Sequence, residues 1–368
     1  MILPAVPSLA PSTTGSVRAP SVWAVLAVGL LIAVGSAVRL LAVNDWDASA
    51  LLKVGEDSGR IVEYSRSLLG DVKLAPELGH DGKFFFIQAN DPFYLDPEAH
   101  AALLDRPAYR AQRMLYPTLA SGGGVFPPQV VVWSLLVVNV VSIAAGTGLT
   151  ALLAKHRGRS PWLGLFFAVN IGLIVELFID GAGALAFTLV VAMVLFAEKG
   201  RLGWAAAAAA GAVLTREAMM LSVIGLFACL LWRSRRAAWS VLIFPAGLAA
   251  VWALYLRGRL PAADRPQVEE LGIPFKGMVI AASHWTDRPF DLVVALFVVA
   301  VSVVFVWRAV RSRDLLAWSA LGFALLLPLL TEQVLIRYFD VTRAIAPVLT
   351  AYPLLLTPGL DRRGRPPT

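Results

Sequence analysis

Long apolar runs recur along almost the whole chain, and they constrain its fold more than any motif does. A helix needs about 20 apolar residues to cross the hydrocarbon core of a bilayer. Windows of that order fall at residues 21–43, 129–153 and 162–179, then at 184–197, 202–215, 218–232, 238–256, 292–307, 315–331 and 344–357. The fourth, fifth and sixth windows are short and read as tilted, broken or re-entrant. Composition agrees with this pattern: 58% of residues are hydrophobic, 15% are charged, and mean hydropathy is +0.71. That is more apolar surface than a water-soluble fold can hide. The expectation is an all-α integral membrane protein of about ten transmembrane helices. A cytoplasmic tail over 1–21 precedes a polytopic domain over 22–358, which includes an external loop at 44–126, and a second cytoplasmic tail covers 359–368.

The net charge of +7 is topological rather than a sign of nucleic acid, because the basic residues cluster at the ends of apolar runs. Lys155, Arg157 and Arg159 form one cluster, and Lys199 with Arg201, Arg233 with Arg235 and Arg236, Arg308 with Arg311 and Arg313, and Arg362 with Arg363 and Arg365 form the others. They recur at every second connection, so those connections face the cytoplasm, and Arg18 places the N-terminus there too. The loop at 44–126 and the segments 257–289 and 332–343 then lie outside. The first apolar run reads as a retained anchor rather than a cleaved signal, given its length and Arg39 near its outer end. The one cysteine, Cys229, excludes disulfides and Cys-rich metal sites within one chain.

A loop as long as 44–126 is usually functional or a small domain of its own. Its acidic residues outnumber its basic ones. Residues 57–69 have the spacing of an amphipathic helix, with Ile61, Tyr64 and Leu68 on one face. In Gly79-His80-Asp81-Gly82-Lys83 a carboxylate lies between two glycines just before the aromatic run Phe84-Phe85-Phe86. This suits a tight turn that fixes Asp81, either as a functional carboxylate or as a turn residue bonded to its own backbone. Arg110 and Arg113 are three apart, hence on one face if helical, where they could hold a phosphate or pair with loop carboxylates. Arg39, Glu176, Asp180, Arg216, Glu217, Glu332, Arg337, Asp340 and Arg343 all fall at the expected external ends of spans. Ionisable groups there usually face a polar cavity or a partner. Glu176 and Asp180, four apart, are expected on one helix face. No Walker-type loop, Gly-x-Ser-x-Gly elbow or His-Glu-x-x-His helix is present.

The order of these features resembles a bacterial branch of the GT-C superfamily, polytopic glycosyltransferases linked in this branch to cell-surface glycopolymers. The resemblance is carried by His80-Asp81-Gly82-Lys83-Phe84-Phe85-Phe86, Asp91-Pro92, the segment Tyr109-Arg110-Ala111-Gln112-Arg113-Met114-Leu115-Tyr116-Pro117, Leu214-Thr215-Arg216-Glu217 and the spacing of Arg343 to Pro347. His80 stands where the branch has Tyr, and Lys83 where it has Gln. The resemblance implies a GT-C-like fold and transfer of a sugar from a polyprenyl-phosphate donor to a glycan or lipid acceptor, with inversion, at the external face of the bacterial plasma membrane. It implies a first-loop carboxylate as base, with Asp81 first and Asp57 and Asp47 behind it. Arg216, Arg343, Arg110 and Arg113 would bind the donor phosphate, and His80, Glu217 and Arg337 would support them. No organic cofactor is implied. A divalent metal is left open, with Asp45-Trp46-Asp47 the one tight Asp-x-Asp. Two other functions fit the same residues: a transporter or flippase for a lipid-linked or anionic solute, and a non-catalytic component of envelope assembly.

Overall fold

The computed structural model describes residues 21–260 and 271–357 of the 368-residue chain. Arg18, Arg362, Arg363 and Arg365, and with them the two expected tails, lie outside the described residues, as does the middle of the 257–289 connection. Among the described residues the chain is helical, with isolated β-bridges and no strand.

Helix α1 (Val22–Ala42) starts at Ser21, whose hydroxyl accepts from the Trp23 amide. The former loop is a packed unit of short helices: α2 (Gly59–Leu69), α3 (Gly82–Asn90), α4 (Pro97–Leu103), α5 (Pro107–Arg110) and α6 (Leu115–Ala120). The amphipathic spacing at 57–69 does form α2, with Ile61 and Val62 buried and Tyr64 and Leu68 packed against the same core. That core also holds Leu51, Leu52, Phe86 and Tyr94 and continues into Ala33 and Ala37 of α1 and Val131, Leu135 and Ile143 of α7 (Pro128–His156), so the unit shares one core with the longer helices. Helix α7 opens on a proline, whose missing N–H is unneeded there, and closes on Lys155 and His156 against the dipole.

Next come α8 (Leu165–Ala168), α9 (Ile171–Phe178), α10 (Gly183–Glu198), α11 (Leu202–Thr215) and α12 (Met220–Leu231). Helix α13 (Arg235–Arg259) leads to α14 (Lys276–Trp285), α15 (Pro289–Arg311) and α16 (Leu315–Leu326), followed by α17 (Glu332–Leu335), α18 (Tyr338–Ala344) and α19 (Ala346–Leu356). The Ala205–Ala210 run packs α11 closely on α10.

Four helices, α1, α7, α13 and α15, are long and apolar enough to cross a membrane. Six spans result if the pair Pro161–Ala168 with α9, bent by 44°, and the pair α18 with α19, bent by 63°, each count as one. The other four apolar windows are helices shorter than expected for a full span. Helix α10, the longest of them at 16 residues, reaches only about 24 Å against a core of about 30 Å. Large apolar side chains remain exposed on the four long helices, among them Leu31, Val137, Val251 and Val303. Only 17% of the apolar window of α13 is buried within the protein, which suits a lipid-facing helix.

Candidate functional site

The helix breaks gather in one place. Arg216 follows α11 in extended backbone before a 3-10 turn over Glu217–Met219, and a second 3-10 turn over Leu327–Leu329 follows α16. Arg216, Ala218, Leu326, Leu330, Arg343 and Ala344 line a common cavity of about 480 Å³. Non-helical backbone among apolar helices is tolerated where it is buried in protein or lines a polar cavity. The other walls bring in Arg106, Arg110, Arg113, Asp81 and Asp340, with Leu221, Phe323 and Val334 as an apolar side.

Asp81 precedes α3 in helical backbone and makes no capping bond to it, so it is not the self-bonded turn residue that its flanking glycines also suggested. Its Oδ1 accepts from Arg110 Nη1 at 2.8 Å and its Oδ2 from Arg343 Nη2 at 3.1 Å. Gly82 makes this seat possible, because a Cβ there would lie 2.6 Å from the Ile179 carbonyl oxygen. Burial pushes the Asp81 carboxyl up, but Arg343, Arg110 and Arg113 outweigh it and hold the group well below the usual carboxylate range.

The other expected residues fall into two groups. Arg110 turns its Nε and Nη2 to Asp105, at 2.9 and 3.0 Å, and stacks on Phe84. Arg113 lies beyond the end of α5, yet it reaches the same cavity and makes a fork to Glu217, at 2.9 and 2.7 Å. Glu217 thus belongs to Arg113 rather than to its chain neighbour Arg216. Arg216 donates through Nη1 to Glu176 at 3.1 Å. Arg343 serves Glu176 at 3.0 Å, Asp340 at 3.4 Å and Asp81.

Outside this cluster, Asp47 accepts from the Ser49 amide and caps the 3-10 turn over Ala48–Leu51, in a separate cleft with Trp46 and Trp133. Arg337 is exposed and lies over the Phe339 ring, whose neighbour at 5.7 Å is the His80 ring. Burial, with Arg343 next, pushes His80 down, so it is neutral at pH 7.

A second cavity, of about 500 Å³, opens on the loop side of Asp81. Asp57, Arg60, His80, Lys83, Phe84 and Asp105 line it, and Asp81 and Arg110 belong to both cavities. Asp57 is therefore near the cluster but exposed.

Glu176, which the sequence marks only as an ionisable group at the end of a span, is the hub of the cluster. It is 2% exposed; Oε1 takes Arg216 and Arg343 while Oε2 takes the Gly183 amide at 3.1 Å. A Cβ on Gly181 or Gly183 would collide with it. The available signal was a carboxylate inside an apolar helix. Asp180 does not share its face: α9 ends at Phe178, and Asp180 adopts φ 45° with a fully buried carboxylate that has no hydrogen-bond partner.

Among the described residues no group of three or more His, Cys, Asp or Glu side chains is placed to hold a metal. The Asp-x-Asp pair does not supply one, since Asp45 is paired with Lys73 at 2.8 Å and Asp47 caps its turn. No family model matches the chain, and neither curated proteins nor solved structures give a match.

Proposed function

We propose that the protein is a GT-C-like membrane glycosyltransferase of the bacterial plasma membrane, acting at the external face on a polyprenyl-phosphate sugar donor and a glycan or lipid acceptor. The supporting observation is the position of Asp81, which forms part of the wall between a cationic cavity with an apolar side and a polar cavity of mixed charge. The first suits a phosphate with a hydrocarbon tail, and the second suits a hydroxylated acceptor. In the reaction the acceptor oxygen attacks the anomeric carbon and its proton passes to Asp81. The bond from that carbon to the phosphate oxygen breaks, its electron pair staying on the phosphate, where Arg216 and Arg343 offset the charge. Attack opposite the leaving group inverts the centre. In this reading the four long helices, two bent pairs and four short apolar helices make up ten spans, with the cavities on the external side, as the basic clusters require.

General-base assistance is worth about 10²–10⁴-fold. Asp81→Asn should therefore lower turnover by that factor in detergent-solubilised protein that remains folded, with a lower melting temperature because the charge held by Arg110 and Arg343 is lost. Envelope glycan from cells carrying the variant, measured by mass spectrometry, is the readout in vivo. Normal output with Asp81→Asn and none with Asp57→Asn would move the base to Asp57.

One observation favours the transport reading. Glu176 and Arg343 lie on the two bent pairs, and broken helices meeting at buried charges are a transporter feature. Purified protein that moves a labelled lipid-linked sugar across liposomes without transferring it would establish that reading instead.

A further inference from the structure

The two guanidiniums that hold Asp81 are already engaged at each of their nitrogens. Arg343 spends Nε on Glu176, Nη1 on Asp340 and Nη2 on Asp81. Arg110 spends Nε and Nη2 on Asp105 and Nη1 on Asp81. Glu176 and Asp105 each bond one of these two arginines, whereas the Asp81 carboxylate bridges them, one oxygen on each guanidinium. Two oxygens of a phosphate would make the same pair of charge-assisted bonds.

We infer that Arg110 and Arg343 form a phosphate site which Asp81 fills as an internal competitor, and that an incoming lipid phosphate displaces the carboxylate. The inference rests on the glycosyltransferase reading, which brings a lipid phosphate to these arginines. It deepens that reading because a carboxylate held between two guanidiniums is a poor proton acceptor. Its basicity returns when the guanidiniums turn to the phosphate. The base is thus released by the donor, and the acceptor is activated only when a donor is present. Asp81 is suited to exchange, being 22% exposed at the junction of two cavities, whereas Glu176 is 2% exposed and fixed by the Gly183 amide.

An internal competitor has an unusual signature: its removal tightens ligand binding. Binding of farnesyl phosphate and of inorganic phosphate to detergent-solubilised protein, by calorimetry, tests this. Asp81→Asn should bind farnesyl phosphate at least about tenfold more tightly than wild type, the scale of one charge-assisted hydrogen bond. Asp57→Asn makes the same change of charge in the adjoining cavity and should shift affinity by less than about twofold, since Asp57 bonds neither arginine and exposed charges are screened. Stronger binding of farnesyl phosphate than of inorganic phosphate identifies the lipid as the source; the reverse order assigns the site to a soluble phosphate and removes the lipid from the inference. Equal or weaker binding by Asp81→Asn, or equal tightening by Asp57→Asn, overturns the competitor while leaving the donor reading intact. Binding of neither probe to wild type overturns the donor reading and the competitor with it. If Asp81→Asn does not fold, infrared difference spectra of wild type with ¹³C-labelled aspartate decide: farnesyl phosphate should shift a carboxylate stretch, and an unchanged spectrum sinks the inference.

Discussion

Glu176 shows how a single side chain can set the geometry of a cavity that it does not itself line. One oxygen holds Arg216, at the corner between α11 and α12, and Arg343, on α18, while the other oxygen is fixed to the start of α10. Both guanidiniums are largely buried, with 21% and 10% of their side chains exposed. Glu176→Gln keeps the volume and one acceptor but removes the shared counter-charge. Breaking a buried pair typically costs about 3–5 kcal/mol, so the variant should lose about 3 kcal/mol of stability in denaturant titrations in detergent. An unchanged midpoint would show that the two arginines are held by something other than Glu176.

At the scale of elements, the loop unit is joined to the helices below it by a shared apolar core and by hydrogen bonds. The Trp252 indole donates to the Ala111 carbonyl at 2.9 Å, next to Arg110, and the Tyr255 hydroxyl donates to the Phe93 carbonyl at 2.6 Å, between α3 and α4, so α13 is joined to two segments of the loop unit. His100 on α4 is buried, with Nδ1 3.7 Å from Asp91 and its ring edge against Tyr94. Burial pushes its pKa down, against Asp91 and Asp96, so the folded domain binds a proton less readily than the unfolded chain does. Stability is therefore full above the ordinary histidine value of about 6.5 and is lost as pH falls toward the lower folded value. The slope for one histidine is at most about 1.4 kcal/mol per pH unit. Hydrogen exchange of the 44–126 amides between pH 7 and 5 should show this loosening, and His100→Gln should flatten it. A wild-type domain whose protection is constant over that range would mean that His100 does not govern it.

For the whole molecule, the mixture of long, bent and short apolar helices suits a protein that keeps a polar cavity among apolar helices. Of the full-length helices, α1, α13 and α15 keep most of their apolar window exposed, as a lipid-facing helix would, while α7 is more than half buried. Arg216, Glu176 and Arg343 sit where short or broken helices end. Orientation is tested by labelling intact cells with an impermeant thiol reagent after Cys229→Ser. Lys73→Cys should react and Arg235→Cys should not. The opposite pattern would turn the protein over and put both cavities on the cytoplasmic side.

The apolar runs determined from sequence alone that the chain would be helical and suited to a bilayer, because a backbone surrounded by hydrocarbon must satisfy its own hydrogen bonds. The spacing over 57–69 likewise determined α2, since an amphipathic period of 3.6 leaves one face to bury. The sequence also marks Asp81 by its flanking glycines, Arg110 and Arg113 by their spacing, and Arg216 and Arg343 by their place at the ends of apolar runs, and only the family resemblance groups them as one site. Tertiary structure alone decided that Glu217 pairs with Arg113 across 104 positions, that Glu176 joins Arg216 to Arg343, and that Asp47 stays apart as a cap. It also decided where helices stop, as when α9 ends at Phe178 and separates Asp180 from Glu176. Hydrophobic periodicity is a local property that each segment carries with it, whereas an ion pair depends on which distant segments packing brings within about 4 Å, a distance that no run of sequence encodes.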